Sequence, residues 1–381
     1  MILFVDQSGQ IGGAELCLAD LALHRRNDSR VLLFAEGPFA DLLRGRGISV
    51  DILALSGALA RTTKKSSWQT LAAGLPALAG HTLALHGAFR KAGLLYLNTA
   101  KALLQGTAAN ILLRRPCIFH LHDLWDERHF SATNIRLLVA AANRADAVIA
   151  NSQSVADTFV SAGGRAPVHV IPNGFDPAAF ANVSPAAIAG LRREGNPGGH
   201  PVVAIFGRLS RWKGQDVLIR AAALLPDVTV WIVGDALFTE DDRTYAAELR
   251  KMAESLDHRI RFLGFRSDVA VLMAAADIIV HCSVSPEPFG RVLVEGMLAG
   301  KPVVAADAGG PKEIVDDGTT GLLVPAGDPQ ALAAAIGRLV ASPDLREQMG
   351  REGRQRAERL FALPVILQKT DNVISSVLKK S

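Results

Sequence analysis

The chain has 381 residues, more than one hydrophobic core serves, so two domains are expected. Hydrophobic residues at 49% and charged residues at 20% exclude a disordered chain. A net charge of +4 suits anionic substrates or an anionic membrane surface and decides nothing alone.

Met1–Val5 is a short apolar run ended by Asp6, with no basic region or cleavage site, and it reads as a buried first strand rather than a signal peptide. From there, short apolar runs alternate with longer amphipathic stretches, the pattern of a parallel sheet covered by helices. The predicted strands of the first half are Ile2–Val5, Val31–Phe34, Leu94–Leu97, Cys117–Leu121, Ala147–Ala150 and Val168–Ile171. Turn formers crowd residues 172–200: Pro172-Asn-Gly174, Asp176-Pro177 and Gly195-Asn-Pro-Gly-Gly199, which sets a domain join there. The second half repeats the pattern at Val202–Phe206, Val228–Val233, Ile260–Leu263, Ile278–Val280 and Pro302–Ala305. The end is read as helix from Pro329 to about Arg359 and again from Leu363, with Leu363-Pro364 as a kink. Two doubly wound units in tandem result, over 1–175 and 176–363, with 364–381 following. No run reaches about 18 uninterrupted apolar residues, so no spanning helix is expected. Cys17, Cys117 and Cys282 lie far apart in apolar contexts, as buried thiols in a reducing cytosol would. The expected location is cytoplasmic, with peripheral membrane contact left open.

Chemistry concentrates after the predicted strands. Gln7-Ser-Gly-Gln-Ile-Gly-Gly-Ala-Glu15 follows the first strand, and Gly12 and Gly13 let backbone approach a ligand. It is not G-x-G-x-x-G, so the dinucleotide fingerprint fails and a nicotinamide dehydrogenase is disfavoured. Asn98 follows Leu94–Leu97 and is a candidate to line a cleft; His120-Leu-His122-Asp123 follows Cys117–Leu121. His122 is a catalytic candidate by its strand-end position, with a structural histidine as the alternative. His120 is expected to alternate away from it into the core. Asp123 and Asp126 lack D-x-D spacing, so no metal dependence is expected. Asn151-Ser152 reads as a helix cap, and Asn173 as a turn former with a role at a cleft wall.

In the second half, Gly207-Arg-Leu-Ser-Arg-Trp-Lys-Gly214 lies between a strand and a helix. Arg208, Lys213 and a helix amino-terminus together are what a diphosphate needs, although a solvated basic turn has the same composition. Further on, Glu287-Pro-Phe-Gly-Arg-Val-Leu-Val-Glu295 sets one carboxylate in a loop and a second in the helix opened by Gly290, with Val303-Val304 starting the next strand. A basic stretch, Arg61-Thr-Thr-Lys-Lys-Ser-Ser-Trp68, followed by an Ala/Leu-rich segment ending in Arg90-Lys91, suits either a solvated helix face or contact with an anionic membrane.

The stretch from Glu287 to Glu295 resembles the E-x7-E signature of retaining GT-B glycosyltransferases, in particular family 4. The segment around Arg208 and Lys213 resembles that family's G-R-L-x-x-x-K-G, Gly12-Gly13 its glycine-rich start, His122 its H-D position, and Val170–Asp176 its V-I-P-N-G-x-D segment. Val233-Gly-Asp235 resembles its V-G-D-G turn, with Ala236 in place of the second glycine. Phe262–Phe265 resembles its F-x-G segment, and Asp307–Glu313 the loop after the signature. The resemblance implies a GT-B fold of two Rossmann-like domains facing a cleft, an acceptor-side domain at 1–175 and a nucleotide-sugar domain at 176–363, with 364–381 crossing back. It implies that Glu287 takes the donor sugar and Glu295 the ribose, that Arg208 and Lys213 hold the leaving diphosphate, and that His122 contacts the sugar near the reacting carbon. Gly207, Gly234, Phe265, Phe289, Gly290, Arg291, Val292, Gly309 and Gly310 join the expected substrate-binding set, with Gly309 and Gly310 offering backbone N–H groups. The implied reaction is retaining transfer from a nucleotide-diphosphate sugar to a sugar, lipid-linked or small-molecule acceptor, in polysaccharide or glycolipid assembly, without metal cofactor or nucleic acid. The alternatives are another GT-B enzyme, such as a sugar-nucleotide epimerase, and a non-catalytic nucleotide-sugar-binding protein.

Overall fold

The computed structural model describes residues 1–55, 75–196, 198–236, 239–256 and 259–380. The basic Arg61–Trp68 stretch lies outside them. By its internal contacts the chain divides into two units, Met1–Asn173 with Ile366–Ser381, and Gly174–Val365.

Among the described residues the first unit holds one parallel sheet. Its strands are β1 Ile2–Asp6, β2 Ser29–Leu33, β3 Val50–Ile52, β4 Leu94–Leu97, β5 Cys117–Leu121, β6 Ala147–Ala150 and β7 Val168–Val170, in the order β3-β2-β1-β4-β5-β6-β7. β1, β4, β5 and β6 are buried throughout, as strands covered on both faces by helices must be. The second unit repeats the plan with β8 Val202–Phe206, β9 Thr229–Val233, β10 Ile260–Gly264, β11 Ile278–His281, β12 Val303–Ala306 and β13 Gly321–Val324, in the order β10-β9-β8-β11-β12-β13. In each unit the strand order reverses once, between β1 and β4 and between β8 and β11. Such a reversal leaves a crevice outside the carboxyl ends of the two strands, where open α/β sheets bind ligands.

Two strands escape the sequence reading. β3 is three residues long, with no side chain fully buried. β13 is four residues between turn formers and begins with glycine. The C-terminal helices also differ from the expectation of one helix from Pro329 to about Arg359. Ser342 ends the helix Pro329–Ala341, and its hydroxyl accepts from Leu345 N at 3.3 Å to start the helix Pro343–Phe361. Ala362, extended at ψ 132, then separates that helix from Leu363–Lys379. Pro343 and Pro364 both fall in a first turn, where proline lacks no hydrogen bond, so the chain bends before each proline and not at it. Ile366, Val373, Ile374 and Val377 of the last helix join Ile2, Phe4 and Tyr96 in a core of the first unit.

Candidate active site

In the second unit the loop after β8 is shaped by glycines. Gly207 (φ 142) and Gly234 (φ 139) close the ends of β8 and β9, and a Cβ on Gly234 would collide with the Gly207 carbonyl. Gly214 (φ 67) ends the short turn Arg211–Lys213 and opens the helix Gln215–Ala223; a Cβ there would strike the carbonyl of Cys282 just past β11. Gln215 Nε2 donates to the Arg208 carbonyl at 2.9 Å, fixing the backbone from which the arginine springs. The β8 loop is thus pinned against the end of β11, across the reversal in strand order.

That contact brings Lys213 to Glu287. The ammonium donates to both carboxylate oxygens, at 2.9 and 2.7 Å, and lies 4.1 Å from the Trp212 ring centroid. Ser283 Oγ donates to Glu287 Oε2 at 3.0 Å, and His281 Nε2 lies 3.2 Å from the same oxygen. Burial works to raise the Glu287 carboxyl, but the Lys213 charge and the His281 hydrogen bond outweigh it and hold the group well below its usual range. Glu287 is therefore an acceptor, so Nε2 of His281 carries its proton, and the buried Nδ1 has no hydrogen-bond partner. The Glu287 backbone is held as well: Gly310 N donates to its carbonyl at 2.8 Å, and Gly309 (φ 73) pairs beside it where a Cβ would clash.

This corrects one expectation. The Gly310 N–H is taken up by Glu287, so Gly310 supports the carboxylate's loop and offers no backbone donor to a ligand. Phe289 also differs from a ligand-facing side chain. It is buried in the core, stacked with Phe175 at 6.3 Å and edge-on to Phe361 at 5.9 Å. Gly290 (φ 104) opens the helix Arg291–Leu298, as expected. Arg291 reaches Glu295 at 3.4 Å one turn on and covers the Phe175 ring at 4.4 Å; Val292 is partly buried against the same core. Gly234 N donates to the Gly264 carbonyl at 2.8 Å, which joins the β9 turn to the segment bearing Phe265, a ring 71% exposed.

In the first unit, Asp6 ends β1 fully buried, at 0% exposure. Its carboxylate accepts from Ser8 N at 2.8 Å and from Asn98 Nδ2 at 2.6 Å. Asn98, just past β4, also donates Nδ2 to the Ala14 carbonyl at 3.3 Å, and its Oδ1 lies 2.9 Å from His122 Nε2. His122 lies just past β5, and its ring sits 3.9 Å from that of His120, which meets Tyr96 OH through Nδ1 at 2.8 Å. The expectation that His120 turns away from His122 is overturned. Residues two apart along a strand share a face, and these rings lie tilted by 36° against each other. Burial and the neighbouring His122 both lower the His120 value, so His120 is neutral. Gly12 is extended, and a Cβ on it would come within 2.7 Å of Glu15 Oε2; Gly13 begins the helix Gly13–His24. Burial raises Asp6 to about 6, and burial together with Asp6 raises Glu15 to about 8. Asn173 is buried with Oδ1 unpartnered. Ser152 caps the helix Gln153–Ser161, its hydroxyl accepting from Val155 N at 3.1 Å. Asp126 is bound to His129 at 2.7 Å and to Arg128 at 2.7 Å.

Four polar residues of these clusters had no assigned role in the sequence reading: Asp6, Glu15, His281 and Ser283. The signal for His281 and Ser283 is their spacing of two at the end of β11, which turns both toward one side just before Glu287. For Asp6 it is an acid that directly ends a central strand.

The Glycosyltransferase Family 4 model matches residues 11–179, and the Glycosyl transferases group 1 model matches residues 191–356. The lipopolysaccharide core biosynthesis glycosyltransferase LpsE of Rhizobium meliloti is 31% identical over 221 residues, 58% of this chain and 62% of that protein, so the match spans under two thirds of the relative's length. The alpha-maltose-1-phosphate synthase of Mycolicibacterium smegmatis is 31% identical over 299 residues, 72% of this chain and 76% of that one. Among solved structures, Anabaena HepE in complex with UDP-glucose superposes with a TM-score of 0.88 at 42% identity, covering 98% of this chain and 99% of that one.

Proposed function

The chain belongs to the GT-B glycosyltransferases of the family 4 group, and from that premise we propose that it transfers a hexose from a nucleotide-diphosphate sugar to an acceptor hydroxyl, with retention at the anomeric carbon. The observation that carries the proposal is the Lys213–Glu287 pair at the crevice between β8 and β11, with Arg208 on the same loop. UDP-glucose is the donor to test first, because HepE, at 42% identity, holds it in the crystal.

In this reading Arg208 and Lys213 take the charge that grows on the diphosphate as the bond from the anomeric carbon to phosphate oxygen breaks. Lys213 turns from Glu287 toward the phosphate, while Ser283 and His281 keep the carboxylate aimed at the sugar hydroxyls. Glu295 binds the ribose, steadied by Arg291. The acceptor oxygen bonds to the same face of the anomeric carbon, and its proton passes to the departing phosphate oxygen, which leaves as the nucleoside diphosphate. His122 contacts the sugar near the reacting carbon. The two cationic side chains supply the charge neutralisation that a divalent ion would otherwise give, so turnover is expected to persist in EDTA.

The acceptor belongs to polysaccharide or glycolipid assembly in this reading, consistent with the part that LpsE takes in lipopolysaccharide core biosynthesis. Among the described residues no helix is long and apolar enough to cross a membrane. A cytoplasmic setting with peripheral contact at an anionic bilayer completes the proposal, and flotation with vesicles containing anionic lipid tests that contact.

The experiment is incubation with UDP-glucose, with and without candidate acceptors, in buffer containing EDTA. The expected result is UDP release that rises with acceptor, with an α-linked product from the α-linked donor by NMR. An epimerised nucleotide sugar formed without acceptor, or no turnover of any nucleotide sugar, would overturn it.

A further inference from the structure

The carboxyl end of the first unit's sheet carries a line of hydrogen bonds with a direction. It starts at Asp6, which is fully buried and whose two oxygens are taken separately: Oδ1 by Ser8 N at 2.8 Å and Oδ2 by Asn98 Nδ2 at 2.6 Å. Asn98 is buried, and its amide has two ends that differ only in what they can bond. Nδ2 faces two acceptors, the Asp6 carboxylate and the Ala14 carbonyl. A backbone carbonyl cannot donate, so that contact alone excludes the reversed amide. Oδ1 must therefore face His122, and an oxygen that only accepts requires a proton on the facing Nε2, 2.9 Å away. The His120 ring lies tilted against that of His122 with centroids 3.9 Å apart, and its Nδ1 is engaged with Tyr96 OH.

We infer that Asp6, acting through the Asn98 amide, is a positioning residue that keeps a proton on His122 Nε2, so that whenever the ring is neutral it is the Nε2–H tautomer with Nδ1 as the acceptor nitrogen. The inference rests on the reading of His122 as a residue of the transfer site. Its physical content is that a histidine acts through whichever nitrogen its surroundings leave as donor or acceptor, and the hydrogen bond on the other nitrogen decides which. Asp6 lies one residue removed from the histidine it governs and touches no substrate. In that respect it resembles a carboxylate that fixes a catalytic imidazole, but with an amide interposed.

Asp6→Asn tests the relay, because it replaces one of the two acceptor oxygens with a donor. With Ser8 N–H claiming the remaining oxygen, the new NH2 faces Asn98 Nδ2, and the Asn98 amide is driven to reverse against Ala14. His122 Nε2 would then face an NH2 group and become the acceptor.

The full-length protein is labelled with nitrogen-15 histidine, and the His122 signal is assigned by its loss in His122→Gln. Long-range proton–nitrogen correlation at mildly alkaline pH then reports which ring nitrogen carries the proton. The expected wild-type result is a single neutral form protonated at Nε2. In Asp6→Asn a population protonated at Nδ1 appears, and kcat falls about tenfold or more with KM for UDP-glucose within about threefold. A wild-type His122 protonated at Nδ1 overturns the inference, and this measurement stands even if the variant fails to fold. A folded Asp6→Asn with unchanged His122 signal and unchanged kcat overturns it too. If His122→Gln keeps wild-type turnover while the tautomer still responds to Asp6→Asn, the relay stands, and the proposed role of His122 in transfer is what fails.

Discussion

Glu287 is held by Lys213, Ser283 and His281 together, so its removal and its exposure have separable effects. Lys213→Ala leaves a mostly buried carboxylate without its cation. Part of that site is open to water, so the cost is about 2 kcal/mol of stability, below that of a fully buried pair. Turnover should fall by about a hundredfold or more, the scale of a lost transition-state donor. Glu287→Gln loses turnover similarly, and Lys213→Ala with Glu287→Gln should be more stable than Lys213→Ala alone, as paired thermal melts would read. The pH dependence has a definite sign. The folded Glu287 value lies below its unfolded value of 4.5, so its stabilisation is complete above that value and is lost as pH falls beneath it. The acid limb of the melting curve should flatten in Glu287→Gln. Glu15 has the opposite sign. Its folded value is raised from 4.5 to about 8, so the native state binds more protons across that interval and stability declines as pH rises through it. Glu15→Gln should raise Tm more at about pH 8 than at about pH 5; an equal change at both would contradict the buried-acid assignment. These residues also mark where the sequence was legible. Arg208, Lys213, Glu287 and Glu295 stand in a recognisable order along the chain. Asp6, His281 and Ser283 matter through partners 92, 6 and 4 positions away, and only the fold pairs them.

At the scale of elements, the informative contrast is between two glycines with nearly equal backbone. Gly309 (φ 73) lies where a Cβ would collide with the Glu287 main chain, and Gly318 (φ 79) has nothing within 4 Å. Gly318→Ala adds backbone strain alone, about 1 kcal/mol. Gly309→Ala adds the same strain and also displaces the segment that fixes Glu287, so it should lose about 2–3 kcal/mol and most of its turnover. Equal turnover in the two variants would show that the loop after β12 does not set the carboxylate's position. Central strands were readable because both faces are apolar: Leu94–Leu97, Cys117–Leu121, Ala147–Ala150 and Val202–Phe206 match residue for residue. Strand β3, Val-Asp-Ile at a sheet edge, carries no such run. The helix break at Ser342 was not expected, and the bend at Ala362 falls just before the expected kink at Leu363-Pro364. Proline marks the first turn of the new helix, while the residue before it makes the bend.

The whole molecule applies one plan twice, a parallel sheet whose strand order reverses once, with its polar side chains gathered at the carboxyl ends beside the reversal. The two copies are not chemically alike. The second unit presents cations with a carboxylate held ionised, whereas the first presents acids raised toward neutrality and a neutral histidine pair member. In the proposed reading a nucleoside diphosphate is attracted by Arg208 and Lys213 of the second unit, while the first unit's buried acids offer it no cation. UDP alone, at about a hundred times its dissociation constant, should therefore stabilise the protein by about 2.7 kcal/mol. Slowed amide exchange should be confined to residues 207–214, 234–235, 262–265 and 287–295 of the second unit. In that reading, where His122 contacts the sugar, UDP-glucose should extend the protection to residues 122–123 of the first unit. Protection by UDP alone in the first unit, with none at 207–214, would reverse the assignment of the two sheets and remove Arg208 and Lys213 from the diphosphate.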